Sequence, residues 1–155
     1  MTRQSPEFEL YTDGACTGNP GPGGWAYVLR DCSDGSERED SGGERETTNN
    51  RMEMLAVIEG LRSIGRPARI DLYSDSQYVV QGINEWLDGW KRRNWRRADK
   101  SPVKNLPLWQ ELDELRSYHA LRCHWIRGHN DHPENERCDR LAVLAAERAA
   151  GGNRV

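Results

Sequence analysis

The chain has 155 residues, of which 35% are hydrophobic and 30% charged, with a formal net charge of -3. A chain of this length buries roughly 70% of its unfolded surface and is the usual size of one domain, so residues 1–155 are expected to fold as a single unit around a modest core. Recurrent apolar periodicity excludes a disordered chain, the lack of a signal-like or membrane-spanning apolar run points to a cytoplasmic protein with no membrane partner, and the absence of an unassigned apolar stripe points to a monomer.

In chain order, Phe8–Tyr11 reads as a first strand, and Gly18-Asn19-Pro20-Gly21-Pro22-Gly23-Gly24 as a rigid turn into a second, Trp25–Leu29. The turn signal Ser33-Asp34-Gly35-Ser36 predicts a hairpin to a third, more polar strand that ends near Gly42-Gly43. Helical spacing begins after Thr47-Thr48-Asn49-Asn50, with Met54, Val57, Ile58, Leu61 and Ile64 on one stripe and Gly65-Arg66-Pro67 as the stop. Ala68–Tyr73 is the next strand. The path to it runs through a helix, so a right-handed crossover lays it parallel to the first.

Ser76–Leu87 predicts a second helix, with Val79, Val80, Ile83 and Leu87 spaced for burial, and it runs into a basic, Trp-rich arm over about 86–105. Leu106–His119 repeats helical spacing through Leu108, Leu112 and Leu115. His124-Trp125-Ile126 closes a short last strand, and Pro133 opens a final helix whose buried face is Cys138, Leu141, Ala142, Ala145 and Ala149. The tail, 151–155, is expected to fray.

Charge is unevenly spread along this chain. From Trp86 to Asn105 there are seven basic residues against two acids, a local charge of +5 that leaves -8 on the remainder. An acidic centre beside a basic arm is the arrangement expected when metal ions sit at one and phosphates at the other. The four cysteines, Cys16, Cys32, Cys123 and Cys138, have no metal-module spacing, and a domain of this size needs no staples, so reduced thiols are expected.

Two near-identical tetrapeptides, Leu10-Tyr11-Thr12-Asp13 and Leu72-Tyr73-Ser74-Asp75, each close an apolar stretch and each deliver a carboxylate. Side chains alternate along a strand, so Asp13 shares a face with Tyr11 and Asp75 the equivalent face with Tyr73. If the two strands pair in parallel, the carboxylates meet, and such a pair is tolerable when a cation lies between them. Glu53, one residue from Met54 and four from Val57, borders the packed face of its helix and is placed to join them, although Asn50-x-x-Glu53 also fits a helix cap. Asp139 similarly borders the apolar face of the last helix, where a lone acid is more often simply solvated.

The runs Tyr11-Thr12-Asp13-Gly14, Gly18–Gly24, Thr47-Thr48-Asn49-Asn50-Arg51-Met52-Glu53, Ser74-Asp75-Ser76-Gln77-Tyr78-Val79, Trp125-Ile126-Arg127-Gly128-His129 and His132–Asp139 resemble, in order and over nearly the whole chain, those of bacterial type 1 ribonuclease H. The resemblance implies a ribonuclease H-like α/β fold, a five-stranded mixed sheet of three antiparallel strands then two parallel ones, flanked by helices. It also implies hydrolysis of the RNA strand of an RNA/DNA hybrid, leaving 5′-phosphate and 3′-hydroxyl ends. Asp13, Glu53, Asp75 and Asp139 become the metal ligands, and His129 a proton carrier or aid to product release. Oxygen donors suit two Mg²⁺ ions, with Mn²⁺ as a substitute.

By the same resemblance, Cys16, Asn19, Asn49, Asn50 and Gln77 line the hybrid's minor groove, near the 2′-hydroxyls that distinguish RNA. Trp86 and Trp90 meet sugars of the DNA strand, Lys91, Arg92 and Arg93 meet phosphates, and Thr48 with Asn105 forms a pocket for one DNA phosphate. Two departures stand out. Asn130-Asp131 follows His129 where a small residue and glycine are usual, and Glu46 stands where an arginine often accompanies the pocket threonine, which predicts a weaker pocket. Two other readings keep the residues but change the function: a non-catalytic module that binds hybrid or double-stranded RNA, and an integrase-like enzyme that cuts DNA or transfers strands.

Overall fold

The structure, a computed structural model, describes residues 5–127 and 132–151. Five strands, β1 (Phe8–Cys16), β2 (Gly21–Asp31), β3 (Glu37–Thr47), β4 (Arg69–Ser74) and β5 (Ala120–Trp125), form one sheet in the order β3-β2-β1-β4-β5. β1, β2 and β3 are antiparallel neighbours, while β4 runs parallel to both β1 and β5. The mixed sheet implied by the resemblance is therefore present. The register Leu10↔Leu72 and Tyr11↔Tyr73 places the two tetrapeptides side by side.

The first two strands extend further toward each other than the glycine-rich sequence predicts. Residues 13–16 of β1 pair with residues 23–26 of β2, ending at Cys16↔Gly23, so the turn is confined to the residues between the strands. A glycine-rich segment reads as a turn because glycine is a poor strand former, but pairing with a strand already in place overrides that preference. β3 likewise runs past Gly42-Gly43 to Thr47, as an exposed edge strand.

Helices α1 (Asn49–Arg62), α2 (Gln77–Gln81), α3 (Leu87–Arg92), α4 (Leu106–Tyr118) and α5 (Pro133–Ala150) complete the fold. On one face of the sheet, Leu10, Leu29, Ile70 and Leu72 pack with Met54, Val57, Ile58 and Leu61 of α1 and with Leu108, Trp109 and Leu112 of α4. On the other face α5 lies over β1, β2 and β3, burying Cys138, Ala142, Ala145 and Ala146, while Leu141 and Ala149 are only half-buried. All four cysteines are free thiols, as expected.

A regular helix over Ser76–Leu87 is not what forms. α2 and α3 are joined by a π-helical turn, Gly82–Trp86. The ring of Trp109 fills the space beside Gly82: a Cβ there would lie 1.9 Å from Trp109 Cη2. A widened turn re-phases the helix and sets where Trp86 and Trp90 point.

Candidate active site

The acidic centre forms where β4 stops and β1 continues. β4 ends at Ser74, and from Asp13 onward β1 pairs with β2 while its other edge opens toward Asp75 and α1. α1 approaches closely there because residue 14 is glycine: a Cβ on Gly14 would lie 2.6 Å from the amide nitrogen of Glu53. Carboxylate oxygens of Asp13, Glu53 and Asp75 accordingly lie within 4.8 Å of one another. The capping alternative for Glu53 fails, because Thr48 is the N-cap of α1, its hydroxyl accepting from the Arg51 amide at 3.2 Å.

Burial and like charge both act on this cluster. Asp13 is 5% exposed and Glu53 6%. Loss of water, then the neighbouring Asp75 carboxylate, pushes the Asp13 carboxyl up to about 8, partly offset by the Gly14 amide, which donates to Oδ1 at 2.9 Å. Glu53 is raised well above the usual carboxylate range, by burial first and then by Asp13 and Asp75. Asp139, half-buried on α5, lies within hydrogen-bonding reach of Asp13 but outside the trio. One buried Glu53 oxygen, Oε1, has no hydrogen-bond partner. Three clustered carboxylates, one with an oxygen left bare, fit a hard, oxygen-seeking cation, and without one they must hold protons.

Asp71 shows the contrast. It is buried on the same face of β4 as Tyr73, yet its carboxylate meets Arg122 Nε at 3.0 Å and His124 Nε2 at 3.1 Å, so its charge is matched by protein. Tyr11, Tyr73 and His124, on three adjacent strands, stack with centroid spacings of 5.1 and 5.0 Å, and they carry the sheet surface that leads to the acids.

The remaining residues singled out in the sequence fall into two groups. Near the acids, the Asn49 amide donates to Asn19 Oδ1 at 2.8 Å, tying the β1–β2 turn to α1, and Cys16 Sγ donates to the Thr47 carbonyl at 3.4 Å. Asn49 and Gln77 are exposed. Farther along, Asn50, Trp86, Trp90 and Asn105 line one groove of about 410 Å³, floored by Tyr78, whose hydroxyl accepts from Asn105 Nδ2 and Trp109 Nε1. Arg97 and Lys104 line it too. Neither was singled out individually, although both belong to the basic run in the sequence.

Lys91 is engaged elsewhere. Its ammonium lies 3.2 Å from Asp113, and Arg116 bridges Asp88 and Asp113, so these charges staple the arm to α4. Arg92 and Arg93 are exposed, Arg93 Nε donating to the Arg96 carbonyl at 3.3 Å. Thr48 serves as a cap and is exposed. His129, with Gly128, Asn130 and Asp131, lies outside the described residues, as do the last four of the tail.

The fold and its carboxylate centre define an α/β protein with a candidate metal site of three clustered acids beside its central strand. Residues 5–147 match the family model described as RNase H. The chain is 59% identical over 136 residues to the Ribonuclease H of Cupriavidus metallidurans, covering 88% of this chain and 92% of the relative. It is 60% identical to that of Cupriavidus necator, covering 91% and 96%. Among solved structures, LC9-RNase H1, described as a type 1 RNase H with the type 2 active-site motif, superposes with a TM-score of 0.82 at 35% identity over 95% of this chain and 75% of the other. LC11-RNase H1, solved in complex with an RNA/DNA hybrid, shares the fold at 22% identity and a TM-score of 0.67, covering 92% of this chain and 98% of the other. The chain belongs to the ribonuclease H family of nucleases.

Proposed function

We propose that this protein is a monomeric cytoplasmic endonuclease that hydrolyses the RNA strand of RNA/DNA hybrids, leaving 5′-phosphate and 3′-hydroxyl ends. Asp13, Glu53, Asp75 and Asp139 hold two Mg²⁺ ions, or Mn²⁺ in their place. When bound, such ions supply an activated water and charge stabilisation at the leaving oxygen. The observation that carries this reading is the convergence of three carboxylates with a buried, unpartnered Glu53 oxygen, which is costly unless a cation completes it.

The chain's own groups set the substrate's position. Asn19, Asn49, Gln77 and Cys16, each on a segment that also carries or adjoins one of the acids, meet the RNA strand at its 2′-hydroxyls. The groove around Trp86, Trp90, Asn50 and Asn105, with Arg92, Arg93, Arg97 and Lys104 nearby, takes the DNA strand through sugars and phosphates. Lys91 acts chiefly by anchoring the arm to Asp113, and Thr48 brings Asn49 and Asn50 to the surface. His129 moves protons near the leaving group.

Asp13→Asn is the direct test. Cleavage of a labelled hybrid should fall by about 100- to 1,000-fold, on the order of a lost essential electrostatic group, while hybrid binding in chelator stays within a few-fold. Undiminished turnover would overturn the assignment. A non-catalytic binding module would instead give retention and no products with or without Mg²⁺, and an integrase-like enzyme would fragment DNA/DNA duplexes.

A further inference from the structure

We propose that Trp125 is a positioning residue, whose indole N–H fixes the backbone of Asp75 and thereby the geometry of the cation site; the inference rests on the metal-binding reading above. Asp13 is held within a sheet and Glu53 within a helix. Asp75 sits at the bend between β4 and α2, outside both. It also sits between two other carboxyl groups whose oxygens lie within 4.8 Å of its own. A ligand in that position needs tethers, and among the described residues two are local and a third is tertiary.

The Ser76 amide donates to Ser74 Oγ at 3.1 Å, and Ser76 Oγ caps α2 by accepting from the Val79 amide at 3.2 Å. The third tether comes from β5. The parallel ladder reaches one residue past the strands, where the Ile126 amide donates to the Ser74 carbonyl at 2.9 Å. The next carbonyl, that of Asp75, accepts from Trp125 Nε1 at 3.2 Å. An indole thus adds a rung where backbone pairing has stopped.

Burial does not account for this tryptophan. Trp109 is fully buried, Trp25, Trp90 and Trp95 pack against the main core, and Trp86 meets Tyr78 edge-on and Trp90 at a tilt. Trp125 is 44% exposed and belongs to neither core cluster. Among the described residues, its single donor is the part of the side chain with a defined partner.

The test removes the donor in two ways, one that leaves a smaller aromatic ring and one that keeps the bicyclic shape. Trp125→Phe and Trp125→benzothienylalanine, in which sulfur stands for the N–H, are compared with wild type by Mn²⁺ binding without substrate, read as free ion by paramagnetic resonance, and by kcat and KM on hybrid. Both variants should bind Mn²⁺ about fivefold more weakly, the scale of one neutral hydrogen bond. Their kcat at subsaturating Mg²⁺ should fall by a similar factor, with KM within twofold and the melting temperature nearly unchanged. Wild-type Mn²⁺ affinity in the benzothienylalanine variant would overturn the inference, as would a rise in KM alone, which would make the ring a substrate contact. Wild-type protein that binds no Mn²⁺ would remove the metal site itself and the inference with it, a distinguishable failure.

Discussion

At the residue scale, Asp13 shows how a cluster of buried acids works against folding. In the metal-free folded protein its carboxyl keeps a proton up to about pH 8, whereas an unfolded chain releases it near pH 4. The folded state therefore binds more protons between these values, so stability from this group is present below about pH 4 and lost as pH rises toward 8. Asp13→Asn removes that titration. In chelator at pH 8 the variant should be more stable by about 2 kcal/mol, or about 6 °C in melting temperature, with the difference vanishing near pH 4. Added Mg²⁺ should raise the wild-type melting temperature and close the gap. Equal melting temperatures in chelator at pH 8 would show that the buried acid carries no strain. The Asp13–Asp75 pairing was legible in advance because two tetrapeptides repeat and parallel register needs only that repeat. Asp71, by contrast, looks like another free acid in sequence, and only the neighbouring strand reveals Arg122 and His124 beside it.

At the element scale, the π-helical turn and the aromatic cluster are one device. Tyr78, Trp86, Trp90 and Trp109 form a chain of ring contacts with centroids 5.3–5.8 Å apart, which begins on α2 and ends on α4. Gly82→Ala would drive a methyl into Trp109, since 1.9 Å leaves no room. The expected cost is about 2–3 kcal/mol in urea unfolding, with a several-fold rise in KM as Trp86 and Trp90 shift. A stable variant with normal KM would separate the turn from the groove. This turn was not legible from spacing, because its cause, Trp109, lies in another helix. Four non-glycine residues with positive φ, Asn94, Trp95, Lys100 and Asn105, fall in the same arm, a concentration of strained backbone typical of functional regions.

For the whole molecule, the division of charge is a division of labour. The basic arm carries +5 on a chain whose net charge is -3, so hybrid binding should be steeply salt-dependent. With about three phosphate contacts, affinity should fall roughly 40-fold between 50 and 200 mM salt. Neutralising Arg92 and Arg93 together should lower the slope of log K against log salt by about 2, leaving kcat at saturating substrate intact. A slope unchanged by that double variant would place the phosphate contacts elsewhere. The arm's charge was plain in the sequence. Which cations are spent internally was not, because the Lys91–Asp113 pair depends on how α3 lies against α4.

The acids also differ in when synthesis supplies them. Asp13, Glu53 and Asp75 come from β1, α1 and the end of β4, while Asp139 comes from α5, which is also the lid over β1, β2 and β3 and is bolted to β3 by Arg137 through Glu37 and Glu39. A polypeptide still emerging from the ribosome has the clustered trio but not Asp139, and one apolar sheet face uncovered. On the proposed assignment of Asp139 as a cation ligand, nuclease competence and a finished fold arrive in the same step, and an unfinished chain has neither.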